Sequence, residues 1–161
     1  MKIIFLDIDG VLASLEYIRI LSLLENPNPD IYGYSFDPRC VKNLKYIFKK
    51  IPDVKIIISS SWRSMGEKRF RDMWKYRNLP GEIIGFTPDL FKMIENSSRG
   101  LEIQKWIDES NVIIENYIII DDDDDMLDSQ KNNFIKIDGK FGLTVDDSLR
   151  IIKLLNLKEK N

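Results

Sequence analysis

Three runs of consecutive apolar residues frame the chain: residues 3–6, residues 54–58 (broken only by Lys55) and residues 117–120. None alternates with polar positions, so each predicts a strand buried on both faces, as in a parallel sheet. Shorter stretches at 82–86 and 134–137 predict two further strands. Between these runs the apolar spacing changes to the helical period. Val41, Leu44, Ile47 and Phe48 mark a helix that opens at Asp37-Pro38 and closes on Lys49-Lys50 before Pro52. A polar, basic stretch at 65–77 predicts one helix, ended by Leu79-Pro80-Gly81. Residues 100–108 predict another, capped by Ser97 or Ser98, with Ile103, Trp106 and Ile107 inward. Thr144 and Asp147 have the spacing of a capping box ahead of a last helix carrying Ile151, Ile152, Leu154 and Leu155. Leu15, Ile18, Leu21 and Leu24 predict a short helix that Asn26-Pro27-Asn28-Pro29-Asp30 interrupts, with a loop or hairpin edge at 31–34. The alternation of buried strands and helices predicts a doubly wound, mainly parallel α/β sheet with helices on both faces, in a single domain over 1–161.

Composition narrows the chemistry more than the fold. The 24 basic residues are offset by 26 acidic ones, a net charge of −2, so only a local basic patch could attract nucleic acid. The chain has no histidine, which excludes Ser-His-Asp and Cys-His triads, His-ligated zinc and a histidine general base. Acid–base work falls to carboxylates, Lys, Tyr or the single cysteine, Cys40. One cysteine allows no intrachain disulfide, and a small buried hydrophobe is its expected role. Asp7 breaks the first apolar run too early for a signal peptide or membrane span, so a cytoplasmic protein with no membrane partner is expected.

The chemistry gathers where the buried runs end. The first ends in Asp7-Ile8-Asp9-Gly10, the second in Ser59-Ser60-Ser61-Trp62-Arg63, the third in five consecutive aspartates, Asp121 to Asp125. Open α/β sheets bind ligands beyond the carboxyl ends of their strands, so parallel strands would bring these ends to one edge. Crowded carboxylates repel unless a cation lies between them, and hard oxygen donors select magnesium. Serine hydroxyls and backbone amides at Ser59 to Ser61 suit phosphate oxygens, and Arg99, just before a helix, can add a cation. A carboxylate is an able nucleophile for phosphoryl transfer, and a second one two residues on can protonate the leaving group and then activate water.

These residues resemble the motifs of the haloacid dehalogenase-like (HAD) phosphohydrolase superfamily. Asp7-Ile8-Asp9-Gly10-Val11 is similar to its first motif, Ile56 to Arg63 to its second, Arg99 to Ile103 to its third, and Ile118 to Asp122 to its paired-acid fourth. The resemblance implies a Rossmann-like α/β fold and a Mg2+ cofactor. It makes Asp7 the nucleophile and a metal ligand. Asp9 becomes the general acid/base, with its backbone carbonyl also on the metal. Ser60, with Ser59 as rival, binds phosphate together with Arg99. Asp122, supported by Asp121 and with Asp125 as a further candidate, completes the metal site. Lys is the commoner third-motif cation, and Lys92 is the alternative to Arg99.

Residues 13–37 form a small insert or lid, too short for a full cap domain. A minimal cap suits a bulky substrate, and the Ser-Trp-Arg ending is similar to phosphatase modules of nucleic-acid end-repair proteins. The expected partner is therefore a phosphorylated substrate, a nucleotide or nucleic-acid end, with Trp62 and Arg63 as candidate substrate contacts. Lys68, Arg69, Arg71, Lys75 and Arg77, interleaved with Trp74 and Tyr76, could track a phosphodiester backbone or equally be a solvated helix face. A small-metabolite phosphatase, closed over by 15–34, and a non-catalytic metal- or phosphate-binding module are the alternatives.

Overall fold

The computed structural model describes residues 1–24, 27–91 and 97–157. Within them, β1 (Lys2–Leu6), β2 (Lys55–Ile58), β3 (Glu82–Phe86), β4 (Asn116–Asp121) and β5 (Phe134–Lys136) form an all-parallel sheet in the order β3-β2-β1-β4-β5. The order runs outward from β1 in one direction and then restarts on its other side with β4. That reversal makes a crevice between β1 and β4, the place where open α/β sheets bind ligands.

Each strand is apolar throughout because each face meets a different layer. Ile4 and Leu6 of β1 join one buried cluster, with Leu44, Ile47, Phe70, Ile151 and Leu155. Ile3 and Phe5 join the other, with Ile57, Ile103 and Ile119. Helices α2 (Pro38–Lys50), α3 (Glu67–Tyr76) and α5 (Val145–Asn156) cover the first face, and α4 (Arg99–Glu109) covers the second. A truncation such as Phe5→Ala would remove the ring that Trp106 and Tyr117 both meet edge-on, at a cost of about 3–5 kcal/mol.

Helix starts follow the side chains that cap them. Asp37 accepts from the Arg39 amide at the head of α2, Ser98 from the Leu101 amide at α4, and Thr144 exchanges bonds with Asp147 at α5. Helix α1 (Leu15–Leu23) starts at Ser14 but buries only Leu21, so it lies on the surface with Leu15, Ile18 and Leu23 exposed. The helix expected over 65–77 is α3, from Glu67 to Tyr76. A 3₁₀ turn spans Ser61–Met65, and Gly66, at a φ of 90°, reorients the chain before α3. Only glycine takes that backbone angle without strain. Cys40 is buried, as its isolation in the sequence suggests. Among the described residues no helix is long and apolar enough to cross a membrane.

Candidate active site

Backbone pairing continues past the ends of the central strands and seats the acids firmly. The Asp7 amide donates to the Ile120 carbonyl (3.0 Å), the Ser59 amide to Leu6 (2.9 Å) and the Ile137 amide to Asp121 (2.9 Å). After β1 the chain makes one compact turn, in which the Ile8 carbonyl accepts from the amides of Val11, Leu12 and Ala13. Asp7 therefore stays buried in the crevice while Asp9 emerges at the surface of the turn.

Across the crevice, Asp7, Asp121 and Asp122 each present a carboxylate oxygen within 4.8 Å of the others. Glycines make the space. A side chain at Gly10, whose φ is +67°, would fall 2.1 Å from Asp122 Oδ2, and one at Gly139 would fall 2.5 Å from the same oxygen. Burial raises the Asp7 carboxyl above its ordinary range, against the pull of a Ser60 hydrogen bond and of Arg99. Burial and the charge of Asp7 raise Asp121, and burial with the charge of Asp123 raises Asp122. Asp121 Oδ1 accepts from the Asp123 amide (2.9 Å), while its buried Oδ2 has no hydrogen-bond partner among the described residues and lies 3.4 Å from Arg99 Nε. Three carboxylate donors held this close, one oxygen without a hydrogen bond, fit a hard divalent cation such as magnesium.

Arg99 opens α4 and reaches into the same space, with its guanidinium 4.0 Å from Asp7, 3.4 Å from Asp121 and 3.1 Å from Glu102. Burial opposes its charge, but the carboxylates of Asp7, Asp121 and Glu102 hold it more firmly protonated than usual. Lys92, the alternative cation, lies outside the described residues. Ser60 lies beside Asp7, where its hydroxyl works to lower the Asp7 carboxyl, and it caps the 3₁₀ turn through the Trp62 amide. Ser59, one residue earlier, is buried, and its hydroxyl has no hydrogen-bond partner among the described residues.

The aspartate run divides its labour. Asp121 and Asp122 face the crevice. Asp124 pairs with Lys136 (2.9 Å), and Asp125 accepts from the Arg99 amide (2.8 Å) at the start of α4. Asp125 is therefore a helix anchor rather than a fourth acid of the crevice, because its carboxylate is engaged at the start of α4.

The candidate substrate contacts take different roles. Arg63 is turned inward, where it donates to Glu102 (2.6 Å) and Thr87 (3.1 Å) and lies 3.7 Å from Asp89. Burial beside a carboxylate removes it from any open substrate surface. Trp62 instead donates its indole N–H to Asp9 Oδ1 (2.9 Å), and Ser61 donates to Asp9 Oδ2 (3.4 Å). Along α3, Arg71 is occupied by the Ile83 carbonyl and Trp74 is buried, and Arg77, just past its end, is occupied by Asp30 and the Tyr34 carbonyl. Arg71, Trp74 and Arg77 thus serve the fold, while Lys68, Arg69 and Lys75 stay exposed.

Glu102 is the participant that sequence reasoning missed. It is fully buried between Arg63 and Arg99 and also accepts from the Leu90 amide (2.9 Å). Its position three residues after Arg99 was the available signal, since such neighbours meet on a helix face.

A doubly wound parallel sheet that gathers paired acids, serines and an arginine at its topological reversal defines a HAD-type phosphohydrolase module. Comparison with known families agrees along nearly the whole chain. The chain belongs to the family described as the HAD domain in Swiss Army Knife RNA repair proteins, whose model matches residues 3–148. No curated protein and no solved structure matches it.

Proposed function

We propose that this protein is a magnesium-dependent phosphomonoesterase that works through an aspartyl-phosphate on Asp7 and acts on a nucleotide or polynucleotide phosphate end. Its main support is the convergence of Asp7, Asp121 and Asp122 within 4.8 Å, beside Arg99 and Ser60. Those three carboxylates, with the Asp9 backbone carbonyl, would hold the ion, whose charge lets an anionic phosphate approach an anionic nucleophile.

The side chains then divide the reaction. Ser60, with Ser59, and Arg99 hold the non-bridging phosphate oxygens. An Asp7 oxygen attacks phosphorus as the bond to the leaving oxygen breaks, and Asp9 gives that oxygen its proton. Asp9, now a carboxylate, takes a proton from water. The water oxygen attacks phosphorus, the Asp7–phosphorus bond breaks, and phosphate leaves with Asp7 restored. Trp62 and Ser61 keep the Asp9 carboxylate on the leaving-group side.

Two observations favour a nucleic-acid-related substrate. The family is described from RNA repair proteins, and the described chain between β1 and α2 adds one nine-residue helix, which leaves room for a bulky phosphate ester. Phosphate release with magnesium from RNA and DNA ends, mononucleotides and sugar phosphates tests this. Turnover of nucleotide ends in preference to sugar phosphates is expected. Preference for sugar phosphates would overturn the substrate assignment, and no turnover of any member would overturn the activity.

A further inference from the structure

We infer that the cleft walled by Tyr32 and Trp62 is the leaving-group site, and that it takes the nucleobase adjoining the scissile phosphate. The inference rests on the phosphomonoesterase reading. In that reaction the leaving oxygen must face the group that protonates it, so the leaving group extends from phosphorus toward Asp9. The two side chains that hold the Asp9 carboxylate, Trp62 at 2.9 Å and Ser61 at 3.4 Å, also line a cleft of about 350 Å3 together with Tyr32, Ser64 and Met65. The space is shallow and open to solvent, so it offers a flat group a surface to lie on rather than an enclosure.

The lining specifies what the cleft accepts. It presents two aromatic rings, a thioether and two hydroxyls, and none of its five residues is charged. A bare sugar phosphate gains little from such walls. A flat heteroaromatic ring can stack on them and meet the hydroxyls at its edge, and stacking tolerates every base. Both walls are held from behind. Trp62 meets Phe36 edge-on at 5.2 Å. Tyr32 meets Tyr76 at 5.6 Å, and its amide donates to Asp30 (2.7 Å), which Arg77 clamps in turn. The segment between β1 and α2 thus contributes a wall of the site.

The test compares ligands with and without a base. Calorimetry on Asp7→Asn protein, chosen to prevent turnover, would compare binding of a nucleoside monophosphate, ribose 5-phosphate and a short oligonucleotide bearing a terminal phosphate, all with magnesium, so that any change at the metal site bears equally on all three. Steady-state kinetics of the wild type would use the same three compounds. The nucleoside monophosphate is expected to bind about tenfold more tightly than ribose 5-phosphate, the order of one base–aromatic stack. Tyr32→Ala should collapse that ratio, and Tyr32→Phe should retain it. The oligonucleotide arm separates a free nucleotide from a strand end as the source of the base. Equal binding of the nucleotide and ribose 5-phosphate by protein with an unaltered cleft would overturn the inference, whether or not Tyr32→Ala folds. Wild-type protein that hydrolyses none of the three yet still prefers the base would overturn the phosphomonoesterase reading and leave the cleft as a base site.

Discussion

Glu102 sets the position of Arg99, the arginine proposed to bind phosphate. Its carboxylate is fully buried and joins Arg99 to Arg63, while the Leu90 amide supplies a third donor. Glu102→Gln would leave two guanidinium groups without their shared counter-charge, and removing one partner of a buried pair costs about 3–5 kcal/mol. Urea denaturation should register a loss of that order, and a change below about 1 kcal/mol would contradict the role. Gly10 acts by having no side chain. Its φ of +67° and the 2.1 Å approach of Asp122 Oδ2 mean that Gly10→Ala must displace that carboxylate. Magnesium affinity measured by calorimetry should fall at least tenfold in this variant, and unchanged affinity would exclude Asp122 from the metal site.

At the scale of elements, the segment between β1 and α2 is clamped at its base by Asp37. That side chain caps α2 through the Arg39 amide, pairs with the Arg39 guanidinium and accepts from Ser14 Oγ (2.6 Å), the cap of α1. Burial works against its charge, but the bonds from Arg39 and Ser14 outweigh burial and hold the carboxyl below its ordinary value of 3.8. A depressed folded value means that the stabilisation is complete well above pH 4 and is lost as pH falls through 3.8 toward the folded value. The Tm difference between wild type and Asp37→Asn should therefore stay constant from pH 8 to about pH 5 and shrink below about pH 4. A difference that grows on acidification would contradict this sign. The start of α2 was legible because Asp-Pro is a local signal, whereas the bond to Ser14 was not, because it joins residues 23 positions apart. The 3₁₀ turn at Ser61–Met65 escaped the periodic reading because five residues are too few to show a period. The basic run at 68–77 stayed open in the sequence because charge spacing does not say which cations find partners inside the fold, as Arg71 and Arg77 do.

Across the whole molecule, topology converts three distant strand ends into one site. Parallel register sets β1 beside both β2 and β4, so residues near positions 7, 60 and 121 share an edge although more than fifty residues separate each from the next. The acids, the serines and Arg99 could be read from the sequence because each follows an apolar run or precedes a helix. The sharing of Arg99 between Asp7, Asp121 and Glu102, and the hold of Trp62 on Asp9, required side-chain geometry. Every step of the proposed reaction passes through Asp7, and the most direct measurement is phosphate release from a nucleotide end by wild type and Asp7→Asn, with magnesium and with excess chelator. Turnover by the wild type that Asp7→Asn and chelation each abolish, in a variant that melts as cooperatively as the wild type, is the predicted result. Turnover retained by Asp7→Asn would contradict the nucleophile, and turnover surviving the chelator would contradict the metal site.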